Sequence, residues 1–161
     1  MVDAVIELQA DTRRKYKIID GVPKLSEIRY FAMPSPIACG YITHTSIGPD
    51  KPLEILVIDS EPSYPGCMVP SRVVGYLEMY KNGEEDFRVI SVSDLNPRYN
   101  EIQSLSDLSI FTLNEIKQYY VNYGKLHNCD INIVRYHARE EALELVKERT
   151  VFYSKEENSS H

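Results

Sequence analysis

The run Ile47-Gly48-Pro49-Asp50-Lys51-Pro52-Leu53-Glu54-Ile55-Leu56-Val57-Ile58-Asp59 sets acids at the mouth of an apolar strand, just behind a turn. Carboxylates gathered at a strand end suit a hard cation such as Mg2+, which takes oxygen ligands. Lys51 stands among those acids, and an ammonium at a ligand position repels the ion it should bind. The run is therefore either a working metal site or the remains of one. Soft-metal chemistry has no pattern to rest on. Cys39, Cys67 and Cys129 lack a CxxC pair, and His44, His127, His137 and His161 lack ligand spacing. The cysteines read as reduced, mostly buried thiols and the histidines as surface or hydrogen-bonding groups.

The elements that must position these residues are mainly strands. "AVIELQ" and "RKYKIID" alternate apolar and polar residues, "DGVPK" turns the chain, and "LSEIRYFAM" continues the alternation. "LEILVID" and "CMVPSRVVGYLEMY" are longer strands, and "KNGEED" connects tightly into "FRVISVS". Helices come late. Thr112 with Glu115 forms a capping box, a stripe of Leu113, Ile116, Tyr120 and Tyr123 follows, and Gly124 marks a stop. A second helix is expected from Ala138 to Thr150, after a strand at "CDINIVRY". Strands first and helices after predict an α+β domain, most simply a small closed or partly closed barrel with helices packed on one side.

A chain of 161 residues with 43% hydrophobic content predicts one domain, 1–161, with a frayed polar tail over about 154–161. The net charge of −6 argues against nucleic acid as a partner. Without a signal peptide or a long apolar run, the expectation is a cytoplasmic protein with no membrane partner.

Read in order, "VIEL", "RKYKI", "GYITHTSIGPDKPLEILVI", "EPSYPGCMVPSRVVGYLEM", "GEEDFRVISV", "NPRYNEIQSLSDL" and "IKQYYVNYGKL" resemble the soluble family I inorganic pyrophosphatases, from about Val5 to Val146. The resemblance implies a five-stranded OB-like antiparallel barrel with flanking helices and a homo-oligomer, commonly a hexamer. It also implies Mg2+-assisted hydrolysis of diphosphate, with carboxylates on the metal and lysines, arginines and tyrosines on the phosphates.

Carried over residue by residue, the metal side is altered. Two of the three signature aspartates fall on Pro49 and Lys51, and the third on Glu54. In the later hairpin Lys81 replaces an aspartate, while Asp86 keeps one and Glu7 keeps a first-strand glutamate. Asp50 is expected to point elsewhere, and Glu84 or Glu85 to face the wrong way to substitute. On the phosphate side the resemblance points to Lys15, Arg88, Tyr123 and Lys125, and to either Arg29 or Glu27. Ser35 and Cys39 stand where tyrosines are expected.

With three ligand positions lost and two reversed in charge, the expectation from sequence is a pyrophosphatase-fold pseudoenzyme without a cofactor, acting by binding or self-association. Two alternatives stand beside it. One is an inorganic diphosphatase of residual or altered activity that uses Mg2+. The other is a metal-free module for phosphate or nucleotide, held by Lys15, Lys17, Lys51, Lys81 and Arg88.

Overall fold

The computed structural model of the chain describes residues 1–29 and 34–151. Along it run β1 (Val2–Leu8), β2 (Arg14–Ile19), β3 (Val22–Ile28), β4 (Ala38–Ile42), β5 (Glu54–Ile58), β6 (Met68–Lys81) and β7 (Glu84–Ser93). Two short 3-10 turns lead to α1 (Ile110–Leu126), and β8 (Ile131–Ala138) and α2 (Arg139–Arg149) complete the order. The tail from Ser154 lies outside the described residues.

The main sheet has the order β1-β4-β5-β7-β6-β8, and β6 also pairs with β1, so five strands close into a barrel. Closure depends on the length of β6. Its first residues pair with β1 (Val2↔Ser71 to Val5↔Met68) and its later ones with β8 (Gly75↔Ala138 to Lys81↔Ile131), with a register shift near Val73 and Gly75. Such an irregularity lets one strand bend from one partner to the next. β5 and β7 pair in parallel, whereas the other paired strands are antiparallel. β2 and β3 form a separate two-stranded sheet. This mainly β architecture with two helices is the barrel that the sequence predicts.

Strand alternation divides the apolar residues between two cores. Ile55, Val57 and Val89 pack with Ile6, Phe87 and the α2 residues Ala142 and Leu145. Leu56, Ile90 and Val92 pack with Ile116, Tyr119 and Tyr120 of α1. The two-residue period therefore places Glu54 with Leu56, and Arg88 with Ile90, on the α1 side.

Two helix expectations need correction. The N-cap of α1 is Ser109, whose hydroxyl accepts from the Phe111 N–H at 3.2 Å, so the helix starts before Thr112. Gly124 does not stop it, because α1 continues to Leu126. Its role is packing, since a Cβ there would stand 2.9 Å from the Cys129 carbonyl oxygen and 3.2 Å from Ile131. No helix among the described residues is long and apolar enough to cross a membrane.

Candidate functional site

Two turns aim charged residues at one place. In the first, the Lys51 N–H donates to the Gly48 carbonyl at 3.2 Å, and Asp50 takes a φ of +56°. Aspartate tolerates this left-handed conformation better than most residues. In the second, Lys81 pairs with Glu84 across Asn82 (φ +52°) and Gly83 (φ +81°), the two-residue hairpin that Asn-Gly favours.

Between them opens a cleft of about 610 Å³. β1 supplies Glu7, β2 supplies Lys15, Tyr16 and Lys17, the first turn supplies Asp50 and Lys51, and β5 supplies Glu54. The β6–β7 hairpin adds Lys81, Glu84, Glu85, Asp86 and Arg88. An inner recess of about 40 Å³ shares Glu7, Lys15, Glu54, Lys81 and Arg88 with the cleft and adds Arg29, Cys39, Tyr120 and Tyr123.

Arg88 is the hub. Its Nε lies 2.9 Å from Glu54 Oε2, its Nη1 lies 2.9 Å from Asp86 Oδ2, and its guanidinium stands 5.2 Å from the Tyr120 ring centre. Burial works against its charge, but Glu54, Tyr120 and Asp86 more than offset that, so Arg88 is held firmly protonated. Arg29, also buried, bonds the Tyr119 hydroxyl and lies 4.9 Å from the centre of the Tyr123 ring. Glu27 pairs with Arg29 at 3.7 Å and lines neither cavity, whereas Arg29 lines the recess. Burial raises the Glu7 carboxyl above its ordinary value against the pull of Lys15, while Glu54 adds to the rise. Burial also pushes the Cys39 thiol up to about 11, so it stays protonated and poorly nucleophilic at neutral pH.

Of the residues singled out from sequence, Glu7, Lys15, Arg29, Glu54, Asp86, Arg88 and Tyr123 come together here, as do Lys51 and Lys81. Lys125 is exposed in the last turn of α1, and it and Pro49 line neither cavity. Asp50, expected to point elsewhere, lines the cleft from its turn, and Glu84 and Glu85, expected to face the wrong way, line it from the start of β7, where they pair with Lys81 and Tyr80. Lys51 and Lys81 thus have acidic neighbours lining the same cleft. The signal was present in the sequence as turn residues flanked by acids.

Mg2+ takes oxygen donors, and six carboxylates line the cleft. Glu54 and Asp86 are engaged by Arg88, and among the described residues no group of three acids, histidines or cysteines is placed to hold a metal. The donor set therefore fits an ion shared between one or two carboxylates and the phosphates of a substrate, with Asp50, Glu84 and Glu85 as donors. It does not fit a cluster held by protein alone.

A family model described as inorganic pyrophosphatase matches residues 4–154. An inorganic pyrophosphatase of Geobacillus stearothermophilus is 34% identical over 158 residues, covering 97% of this chain and 96% of the relative. One from Corynebacterium glutamicum is 35% identical over 127 residues, covering 78% and 80%. Among solved structures, an inorganic pyrophosphatase from Coxiella burnetii superposes with a TM-score of 0.86 at 25% identity over 91% of each chain. The Thermus thermophilus inorganic pyrophosphatase gives 0.85 at 29% identity, covering 90% and 86%. These relatives overturn the pseudoenzyme expectation, since proteins similar over nearly the full length carry the enzyme's name. Counting replaced ligand positions left out Asp50, Glu84 and Glu85, which also line the cleft.

Proposed function

The chain belongs to the inorganic pyrophosphatase family, and from that premise we propose that it hydrolyses inorganic diphosphate in the cleft between β2, the β5 turn and the β6–β7 hairpin. The observation that carries this reading is the convergence of Lys15, Lys51, Lys81 and Arg88 with the half-buried Glu7 in one cavity. One diphosphate and one water give two hydrogen phosphates. The water oxygen bonds to a terminal phosphorus as the bond from that phosphorus to the bridging oxygen breaks, and the leaving phosphate takes up a proton.

Lys15, Arg29, Lys81 and Tyr123 hold phosphate oxygens, and Arg88 offsets charge that develops on the leaving group. Glu7, whose burial raises its proton affinity, accepts the proton of the attacking water. Asp50, Glu84 or Glu85 would hold Mg2+, which would supply Lewis-acid polarisation of the phosphoryl group when bound. Cytoplasmic placement and a homo-oligomeric state, commonly hexameric in the resemblance, belong to the same reading. Size-exclusion with mass determination tests the oligomer.

Phosphate release from diphosphate, followed with Mg2+ and separately with Mn2+, tests the activity. Turnover of ~1 per second or faster is expected. No release with either metal overturns the reading.

A further inference from the structure

We infer that this cleft takes the diphosphate anion without a metal, and that a divalent ion is held only together with the anion, because Arg88 occupies the carboxylates that would otherwise take it. The inference rests on the diphosphatase reading of the cleft and concerns what binds and in what company, not turnover.

The first observation is Arg88 itself. At 6% exposure it is buried between Glu54 and Asp86, at 2.9 Å from an oxygen of each, and an aromatic ring faces its guanidinium. A guanidinium cannot lose its proton in a protein. A divalent ion brought between Glu54 and Asp86 meets a fixed positive charge in the place it needs.

The second observation is the recess behind Arg88. Four cations, Lys15, Arg29, Lys81 and Arg88, face two carboxylates there, Glu7 and Glu54. Arg88 is balanced by Glu54 and Asp86, and Arg29 by Glu27, whereas Lys15 and Lys81 form no ion pair among the described residues, so the inner end of the cleft offers two ammonium groups to an anion. Of the four buried arginine Nε–H groups that lack a hydrogen-bond acceptor among the described residues, two belong to residues of the recess, Arg29 and Arg88. Arg88 Nε lies within ion-pair range of Glu54 but is not aligned with it as a hydrogen bond. Buried donors in native proteins are nearly always satisfied, and a phosphoryl oxygen is an acceptor of the right kind for a guanidinium.

The third observation is the mouth. Asp50, Glu84 and Glu85 are exposed and are not engaged by Arg88. With the phosphates seated inward, these acids and the outer phosphate oxygens together supply hard donors for one ion, which neither set supplies alone. Anion and metal then bind with positive coupling, and the coupling is reciprocal.

Isothermal titration of the full chain tests this, with imidodiphosphate as a non-hydrolysed diphosphate and Mn2+ as the ion. Imidodiphosphate is expected to bind in the presence of EDTA. Mn2+ alone is expected not to bind at millimolar concentration, and its affinity should rise at least ~10-fold when imidodiphosphate is present. Stoichiometric Mn2+ on the ligand-free protein, or no imidodiphosphate binding without metal, overturns the inference. Arg88→Met and Arg88→Lys add a gain-of-binding test. Removing the guanidinium frees Glu54 and Asp86, so the ligand-free Met variant should acquire Mn2+ binding and the Lys variant less of it. A Met variant with native circular dichroism and no gain overturns the role of Arg88, and if neither variant folds the wild-type titrations decide. Phosphate release measured in parallel separates the two readings. Imidodiphosphate binding without turnover sinks the diphosphatase reading alone, while turnover by a protein that holds Mn2+ unaided sinks this one alone.

Discussion

Glu7 shows how one residue carries a functional expectation that its type does not reveal. The resemblance casts it as a metal ligand, yet its surroundings suit it to a proton. Burial raises its carboxyl above the usual value, Lys15 pulls it down, and the rise prevails. Catalysis that needs the Glu7 anion is present above this raised pKa and is lost as pH falls through it. The acid limb of the pH–rate profile should therefore lie above the range of an exposed glutamate. Glu7→Gln should lower kcat by ~10²-fold or more and remove that limb, and a variant that keeps both rate and limb refutes the assignment. The same raised pKa has an opposite sign for folding. Protonated Glu7 is favoured by the native state, so its contribution to stability is fully present at pH below the unfolded value and is lost as pH rises through the folded one. Individual residues were legible in the sequence where the backbone is regular, as at Glu54, Asp86 and Arg88 on paired strands. Asp50 was misread because it sits in a turn, where its positive φ redirects the chain.

At the scale of elements, the site depends on how closely β1 and β4 approach. A Cβ at Gly40 would fall 1.8 Å from the Val5 carbonyl oxygen, a backbone atom that no rotamer change can move aside. Gly40 also lines the recess, next to Tyr41 in the chain, and Val5 and Ile6 precede Glu7 on the partner strand. Gly40→Ala must push the strands apart, at about 1–3 kcal/mol by comparison with other overpacked interiors. The urea midpoint should fall accordingly, and an unchanged midpoint contradicts the packing argument. Elsewhere, His137 joins β8, β6 and α2. Its Nε2 meets Glu78 Oε1 at 2.6 Å, its Nδ1 meets Glu141, and its ring stacks on Tyr76 at 4.3 Å. The hydrogen-bonding role expected for histidines from sequence is what this one performs. Strands and helices were legible because alternation and helical stripes report burial directly. The start of α1 was not, since Ser109 and Thr112 both suit a cap and only the fold chooses between them.

For the whole molecule, the sequence order revealed a barrel with helices beside it, but not how it closes. Closure is a property of β6, whose two halves serve different partners, and its length alone does not say where it bends. The functional cleft has the same composite character. Lys15 stands on the separate β2–β3 sheet and Arg29 directly follows it, whereas Lys81 and Arg88 belong to the barrel and Tyr123 to α1. An anion bridging these groups ties together parts that the backbone ladders leave unconnected. Ligand that binds only the native state stabilises it by about 2.7 kcal/mol at a hundred times its Kd. Imidodiphosphate in EDTA should therefore raise Tm, and the rise should come with slower amide exchange in β2 and β3 as well as in the β6–β7 hairpin. Protection confined to the hairpin, with β2 and β3 exchanging as in the free protein, would mean that the anion does not reach across the cleft, and Lys15 and Arg29 would lose their assigned role.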